Sequence, residues 1–340
     1  MNATTYGLDI AKNVFQLYWV DAETGEVSNR RFARDELIRF LGKRTAGRVA
    51  LEACASAHWW ARKLRSLGHE PILLHARYVR PFVQTNKTDV ADARAIWTAM
   101  QQPQMRTVAQ KTVEQQAMLS LHRMRSLLVK FRTMQVNQVR SLLYEFGACF
   151  RKGRAAGISE IREQMAQLEA DLPGEIVQSV RDQLGRIERF EHDIVEAERR
   201  IRTWQRQDVA CRAISDVPGI GKLTATAIVA TVGDAKAFKS GREFAAFLGL
   251  VPRQSGTGGK IRLGAISKRG DPYIRTLMIH GARSVLYHGK EPTDWQKRIQ
   301  ERRPANVAAV ALANKTARKV WAILAHEDRY DEHHVSVRPA

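Results

Sequence analysis

Residues 5–20 read TYGLDIAKNVFQLYWV, and their reading sets the fold. TYGLDI and VFQLYWV are short, apolar and rich in β-branched and aromatic residues, so each reads as a strand. A turn near Gly25 and the run SNRRFA add a third strand and make a meander. ELIRFLGK then has helical spacing, and RVALEA (48–53) is strand-like again. A helix through Trp60 and Leu64, an apolar strand EPILLHA (70–76) and a helix from Asp89 to about Met100 complete the unit. Three strands followed by alternating helix and strand predict a mixed α/β sheet with helices on its faces.

Downstream the periodicity changes. Leu121, Met124, Leu128 and Phe131 are spaced three and four apart, and Val139, Leu142 and Phe146 resume the pattern after Gln135 interrupts it. Ile187, Phe190, Ile194, Ala197, Ile201 and Trp204 repeat it. This spacing predicts a coiled coil or long helical hairpin, with Gly147, Gly153 and Gly157 breaking the chain between its arms. A mainly helical third part follows, with a closing helix from about Asn306 to Leu324. The expected layout is an acidic α/β domain over 1–104, a helical spacer over 105–206, a C-terminal domain over 207–330 and a solvated tail over 331–340. The tail's adjacent His333 and His334 read as exposed polar residues rather than metal ligands.

Composition narrows the partner. The 340 residues are 44% hydrophobic and 26% charged, ordinary for a globular chain, but the net charge is +20. Such a balance favours a polyanion, above all nucleic acid. An acidic membrane surface is the other candidate, but the sequence has no apolar run of membrane-spanning length and its start lacks a signal-peptide pattern, so no transmembrane helix is expected and nucleic acid without a membrane is the partner read here. Cys54, Cys149 and Cys211 are scattered, fit a reducing cytosol and read as small buried hydrophobes.

Against this basic background stands an acidic set. Asp9 ends the first strand, Glu52 ends a later one, and Asp89 and Asp92 open a helix. Like charges three residues apart repel by a few tenths of a kcal/mol. Each acid alone has an ordinary reading as a cap or a solvated face. Together they lie at strand ends, where an open sheet gathers ligand sites. Four converging carboxylates suit Mg²⁺ or Mn²⁺, hard cations that prefer oxygen ligands. Two such ions would clamp the attacking and leaving oxygens of a phosphodiester.

A second constellation is basic. Residues 244–270, FAAFLGLVPRQSGTGGKIRLGAISKRG, hold no Asp or Glu but carry Arg253, Lys260, Arg262, Lys268 and Arg269. Gly256, Gly258 and Gly259 let the backbone approach a phosphate. Ser255 sits among the cations, placed to attack a phosphodiester, with Arg253 or Lys260 stabilising the developing charge. A phosphate-gripping loop with an idle serine is the plainer reading, and Thr257 and Ser267 are rival hydroxyls. VPGIGKLTATAIVA (217–230) reads as a tight turn between helices, with Gly219, Gly221 and Lys222 able to meet a DNA phosphate without reading sequence. An ordinary helix corner is the alternative.

GLDIAKN, LEACASAHWW, NKTDVADARAI, VPGIGKLTATAIVA and LVPRQSGTGGKIRLGAISKRGDPYIRTLMIHGAR together resemble one family, over roughly 5–325. It is the DEDD transposases of bacterial insertion sequences, the insertion-sequence one-hundred-and-ten family, and the chain resembles its eleven-eleven branch. The resemblance implies a RuvC-like (RNase H fold) first domain, a coiled-coil middle and a C-terminal transposase domain. It implies that Asp9, Glu52, Asp89 and Asp92 are the catalytic acids and that a C-terminal serine, best matched by Ser255, is the nucleophile. It further implies a structured noncoding RNA from the element, a bridge RNA that pairs with donor and target DNA. Active sites composed from two subunits, and a dimer or tetramer built through the coiled coil, are also implied, in a cytoplasmic, nucleoid-associated setting. Ala55 follows Cys54 where many members carry Gly, and the alignment at Ser255 needs a short gap, which keeps Thr257 in play. The competing readings are a metal-only nuclease of the Holliday-junction type, a guide-free invertase, and a nonenzymatic nucleic-acid-binding protein.

Overall fold

The computed structural model describes residues 4–84, 86, 88–289 and 291–331. The tail from 332 onward, with His333 and His334, lies outside the described residues. The chain forms two compact units, Met1–Thr112 and Val113–Ala340.

In the first unit, β1 (Thr5–Ile10), β2 (Val14–Val20) and β3 (Val27–Ala33) form the expected antiparallel meander. After α1 (Arg34–Gly42), β4 (Arg48–Glu52) returns parallel to β1, and after α2 (Ala57–Ser66), β5 (Glu70–Leu74) runs parallel to β4. The short α3 (Ala76–Val79) and a 3-10 turn lead to α4 (Asp89–Met100), and β6 (Thr107–Val108) closes the edge antiparallel to β5. Among the described residues the strand order is β3-β2-β1-β4-β5-β6. Side-chain alternation divides this mixed sheet into two buried faces. Tyr6, Leu8, Val49 and Leu51 face Leu37, Leu41, Trp60 and Leu64 of α1 and α2. Ala50, Ile72 and Leu74 face Ile96 and Ala99 of α4. Burying each large apolar side chain contributes roughly 1.5–3 kcal/mol.

The second unit begins with α5 (Val113–Glu145), followed by α6 (Arg154–Glu163), α7 (Met165–Asp171) and α8 (Gly174–Gln207). The helices α5 and α8 pack side by side, with Val136, Val139 and Leu143 against Val180, Leu184 and Ile187. The interruption at Gln135 is a polar layer: its Nε2 donates to Oε1 of the buried Gln183 at 2.7 Å. The seam differs from the periodic reading at Met124 and Phe131, which are 57% and 42% exposed. Buried Met118 and His122 lie on a neighbouring stripe instead.

Then come α9 (Val209–Ser215), α10 (Lys222–Val232), α11 (Gly241–Phe247), α12 (Pro272–His288), α13 (Asp294–Arg302) and α14 (Ala305–His326) around one core. The basic segment expected as a loop is a hairpin, β7 (Pro252–Thr257) and β8 (Lys260–Ile266). The cysteine reading needs correction. Cys211 is buried, but Cys54 and Cys149 are exposed, because they fall in the turn after β4 and the connection after α5.

A buried polar knot ties α5, α10 and α12 together. The Thr226 hydroxyl donates to the Lys222 carbonyl at 2.8 Å, so its oxygen accepts from His122 Nε2 at 3.0 Å. His122 Nδ1 then accepts from the Tyr273 hydroxyl at 3.0 Å. Burial, with the Arg125 cation adding to it, lowers the His122 pKa to about 4. Glu198 pairs with that Arg125 at 2.6 Å. The neutral ring is therefore part of the fold. The unfolded chain binds this proton near pH 6.5, so stability is complete above that value and falls as pH drops toward 4. The loss attributable to His122 should reach about 3 kcal/mol. Denaturant unfolding of wild type and His122→Gln across pH 7 to 4 checks this: the variant should lose the steep segment, and equal pH slopes would refute it.

Candidate active site

The sheet register brings two acids together. Leu8 of β1 pairs with Leu51 of β4, and the next position in register sets Asp9 beside Glu52. Adjacent parallel strands lie about 4.8 Å apart, and side chains at the same register point to the same face. The face is fixed by Gly7, two residues before Asp9. A Cβ on Gly7 would stand 2.4 Å from the Ala93 carbonyl oxygen and 2.6 Å from the Trp97 nitrogen. Only glycine lets α4 lie this close, and Asp9 shares the α4 side of the sheet.

The helix α4 runs antiparallel to β1. At its far end, Trp97 Nε1 donates to the Thr5 carbonyl and hydroxyl at 3.1 and 2.9 Å. Its first turn therefore reaches the end of β1 that holds Asp9. Ala93 and Trp97, which cover Gly7, form a stripe that continues one turn back to Asp89. Ile96 packs with Ala50 and Leu74, and its stripe continues back to Asp92, on the Glu52 side. The fold thus brings Asp9, Glu52, Asp89 and Asp92 to one corner. The first, second and fourth are half-buried and Asp89 is exposed. The Thr88 hydroxyl caps the helix by accepting from the Ala91 N–H at 3.2 Å. Carboxylates in a first helical turn meet its positive end, which offsets the repulsion between Asp89 and Asp92.

Two residues that the sequence reading passed over hold this corner. Gln16 sits opposite Asp9 on β2, and its Nε2 donates to Asn29 Oδ1 at 2.6 Å. Asn29 Nδ2 donates in turn to the Val90 carbonyl in the first turn of α4, at 3.1 Å. The signal was present: Gln16 is the polar residue inside VFQLYWV, and it is buried.

The four oxygen donors are of the hard type that suits Mg²⁺ or Mn²⁺. Among the described residues, however, no group of three or more His, Cys, Asp or Glu side chains is drawn close enough to hold an ion as it stands. The acids share a corner without forming a closed cage.

In the second unit, the register of the hairpin organises the basic segment. Ser255 pairs with Arg262 and Thr257 with Lys260, while Gln254 pairs with Leu263 and Gly256 with Ile261. Alternation over the regular register places Ser255, Thr257, Lys260 and Arg262 on one face, and a register shift between Pro252 and Gln254 interrupts the pattern at Arg253. The other face carries Ile261 and Leu263, 63% and 70% exposed. Ser255 lies opposite Arg262, and Arg253 is two residues away on its own strand, at the register shift. Thr257 sits at the tip next to Lys260. The Ser255 hydroxyl is exposed and takes no hydrogen bond among the described residues.

Lys268 and Arg269 lie at the foot of the hairpin, where Ser267 N donates to Val251 O at 2.7 Å and Arg275 grips the Arg269 carbonyl at 2.8 Å. Gly221 and Lys222 are exposed at the start of α10. Gly219 serves packing: its φ is +87°, and a Cβ on Gly281 of α12 would stand 1.9 Å from its carbonyl oxygen.

Sequence comparison decides the family. Residues 6–147 match the DEDD transposase family of IS110, and residues 211–298 match the transposase IS116/IS110/IS902 family. Over 338 residues the chain is 47% identical to a probable family 20 transposase of Pseudomonas aeruginosa, covering 97% of this chain and 99% of that one. The chain belongs to the IS110/IS116 family of insertion-sequence transposases. It is also 37% identical over 328 residues to the transposase for insertion sequence element IS1111A of Coxiella burnetii, covering 95% of this chain and 90% of the other. The transposase for insertion sequence element IS1328 of Yersinia enterocolitica is likewise 37% identical over 328 residues, with 95% and 97% covered. The mixed sheet is consistent with a DEDD, RuvC-like transposase. A transposase of this family is a DNA-binding enzyme that cuts and rejoins DNA. No helix among the described residues is long and apolar enough to cross a membrane.

Proposed function

We propose that this transposase breaks and rejoins DNA through a covalent 5′-phosphoserine at Ser255, with a divalent ion held by Asp9, Glu52, Asp89 and Asp92. The observation that carries this reading is the exposed Ser255 paired with Arg262 on the hairpin, with Arg253 two residues away on the same strand. Oγ attacks phosphorus, the Oγ–P bond forms and the P–O3′ bond breaks. The serine proton is passed on to the leaving 3′ oxygen. A 3′-OH from another strand then attacks the phosphoserine, releases Ser255 and restores a phosphodiester without external energy. The two arginines neutralise charge that grows on the phosphoryl oxygens. Bound Mg²⁺ or Mn²⁺ supplies Lewis-acid polarisation of the phosphodiester. Lys260, Lys268, Arg269 and the Gly221–Lys222 helix start grip the backbone and leave sequence choice to a guide. That guide, in this reading, is the element's own noncoding bridge RNA.

The test is reconstitution. The full chain, element-junction DNA, target DNA, the flank-encoded RNA and Mg²⁺ should yield joined products, and omission of either RNA or Mg²⁺ should abolish them. Equal joining without RNA would refute guidance and favour a guide-free recombinase.

Self-association through the long helices belongs to the same proposal. Met124, Leu127, Phe131 and Met134, spaced three, four and three apart on α5, are 57%, 48%, 42% and 57% exposed. This apolar stripe fits a second copy, giving a dimer or tetramer. Met124→Glu with Phe131→Glu should convert the assembly to monomers by light scattering. A wild-type mass of one chain would exclude it.

A further inference from the structure

A concavity of the second unit is lined by none of the hairpin residues. It encloses about 420 Å³ between the Val217–Gly219 turn, the end of α12, the start of α13 and one side of α14. Pro218, His288, Trp295, Lys315, Lys319 and Tyr330 line it, with Glu291 also on the wall. The cations and rings are already paired: Lys315 Nζ lies 4.7 Å from the Trp295 ring centroid and Lys319 Nζ 5.0 Å from that of Tyr330. We infer that this groove binds one unpaired nucleotide of a nucleic acid, its base stacked on Trp295 or Tyr330 and its phosphate on Lys315 and Lys319.

Size, shape and charge agree on this ligand. The volume is that of a small-molecule site, suited to one nucleotide rather than a duplex. Lys315 sits one turn from Lys319 on α14 with Arg318 between them, a crowding of like charge that an anion relieves. Burial, then Lys319 and Arg318, lowers the Lys315 pKa, and a phosphate beside it would favour the ammonium. Aromatic rings beside cations are the pairing that single strands use, because every unpaired base offers a π-face. An acidic peptide would use the lysines but leave the rings unexplained. A paired base has both faces occupied by its neighbours and cannot enter. The site shares no residue with Ser255 or the four carboxylates, so it stands or falls apart from the chemistry proposed for them.

The experiment uses the full chain and short oligonucleotides carrying 2-aminopurine, as single-stranded DNA, single-stranded RNA and the matching duplexes. Binding should change the probe's fluorescence in the single strands and leave the duplexes unchanged. Lys315→Gln with Lys319→Gln should weaken single-strand binding by about fivefold or more, with a smaller effect on duplex. It should also reduce the salt slope by about 1.4, as loss of two phosphate contacts requires. Trp295→Leu, checked by thermal melting against wild type, should reduce the fluorescence change. The polymer bound more tightly, DNA or RNA, is the source of the nucleotide. A change under fivefold in the correctly folded double lysine variant, or equal weakening of single strand and duplex, would overturn the inference.

Discussion

Ser255→Ala should lower strand transfer by about 10³-fold or more while leaving DNA affinity within about threefold. The rate effect follows from losing the nucleophile of a covalent mechanism, which other groups at the site cannot replace. Affinity should persist because the cations Arg253, Lys260 and Arg262 are untouched. Stability should also persist, since Ser255 is exposed on a hairpin and takes no hydrogen bond among the described residues. Thr257→Ala is the matched control: it removes a hydroxyl from the same face, one register step toward the tip, and should retain activity. Activity surviving in Ser255→Ala but lost in Thr257→Ala would move the nucleophile to Thr257. Cleavage intact in both would point to water as the nucleophile.

The second large effect concerns the acids. Asp9→Asn combined with Asp89→Asn should abolish cleavage at every Mg²⁺ or Mn²⁺ concentration tested. The same variant should bind DNA as tightly as wild type or more tightly, because two negative charges near a phosphate have gone. Asparagine keeps the size of the side chain, so the packing of α4 on Gly7 is preserved. Cleavage titrated against metal and DNA binding measured separately give the two readouts. Full cleavage in the double variant at saturating Mg²⁺ would remove these two carboxylates from the reaction. The Gln16–Asn29 hydrogen bonds make a milder prediction of the same kind: loosening α4 through Asn29→Ala should raise the metal requirement without touching any acid.

Much of the first unit was legible because its strands are buried on one or both faces. TYGLDI, VFQLYWV and EPILLHA each carry that pattern, and the observed strands begin and end within a residue or two of the reading. The strand Thr107–Val108 carries none, because two residues define no period. The Ser255 segment was read as a loop for a related reason. Its hairpin is exposed on both faces, so no burial pattern marked strands, and its glycines pointed to irregular backbone. The two long helices were legible as periodic runs, Leu121 to Phe146 and Ile187 to Trp204, but α8 begins at Gly174, and periodicity alone does not say which stripe meets the partner helix. Met124 and Phe131 fit the repeat, yet the packed stripe at that level carries Met118 and His122. The four acids stood out by residue type and position. Their convergence needed the register of β1 on β4 and the close approach of α4 to Gly7, which are three-dimensional facts.

The most direct measurement is to trap the covalent complex with junction DNA, guide RNA and Mg²⁺, digest it and identify the modified peptide by mass spectrometry. The account predicts a nucleotide remnant joined through its 5′ phosphate to Ser255, absent when Asp9 and Asp89 are changed to Asn. Cleaved DNA with no protein adduct, or a remnant on any other residue, would contradict it.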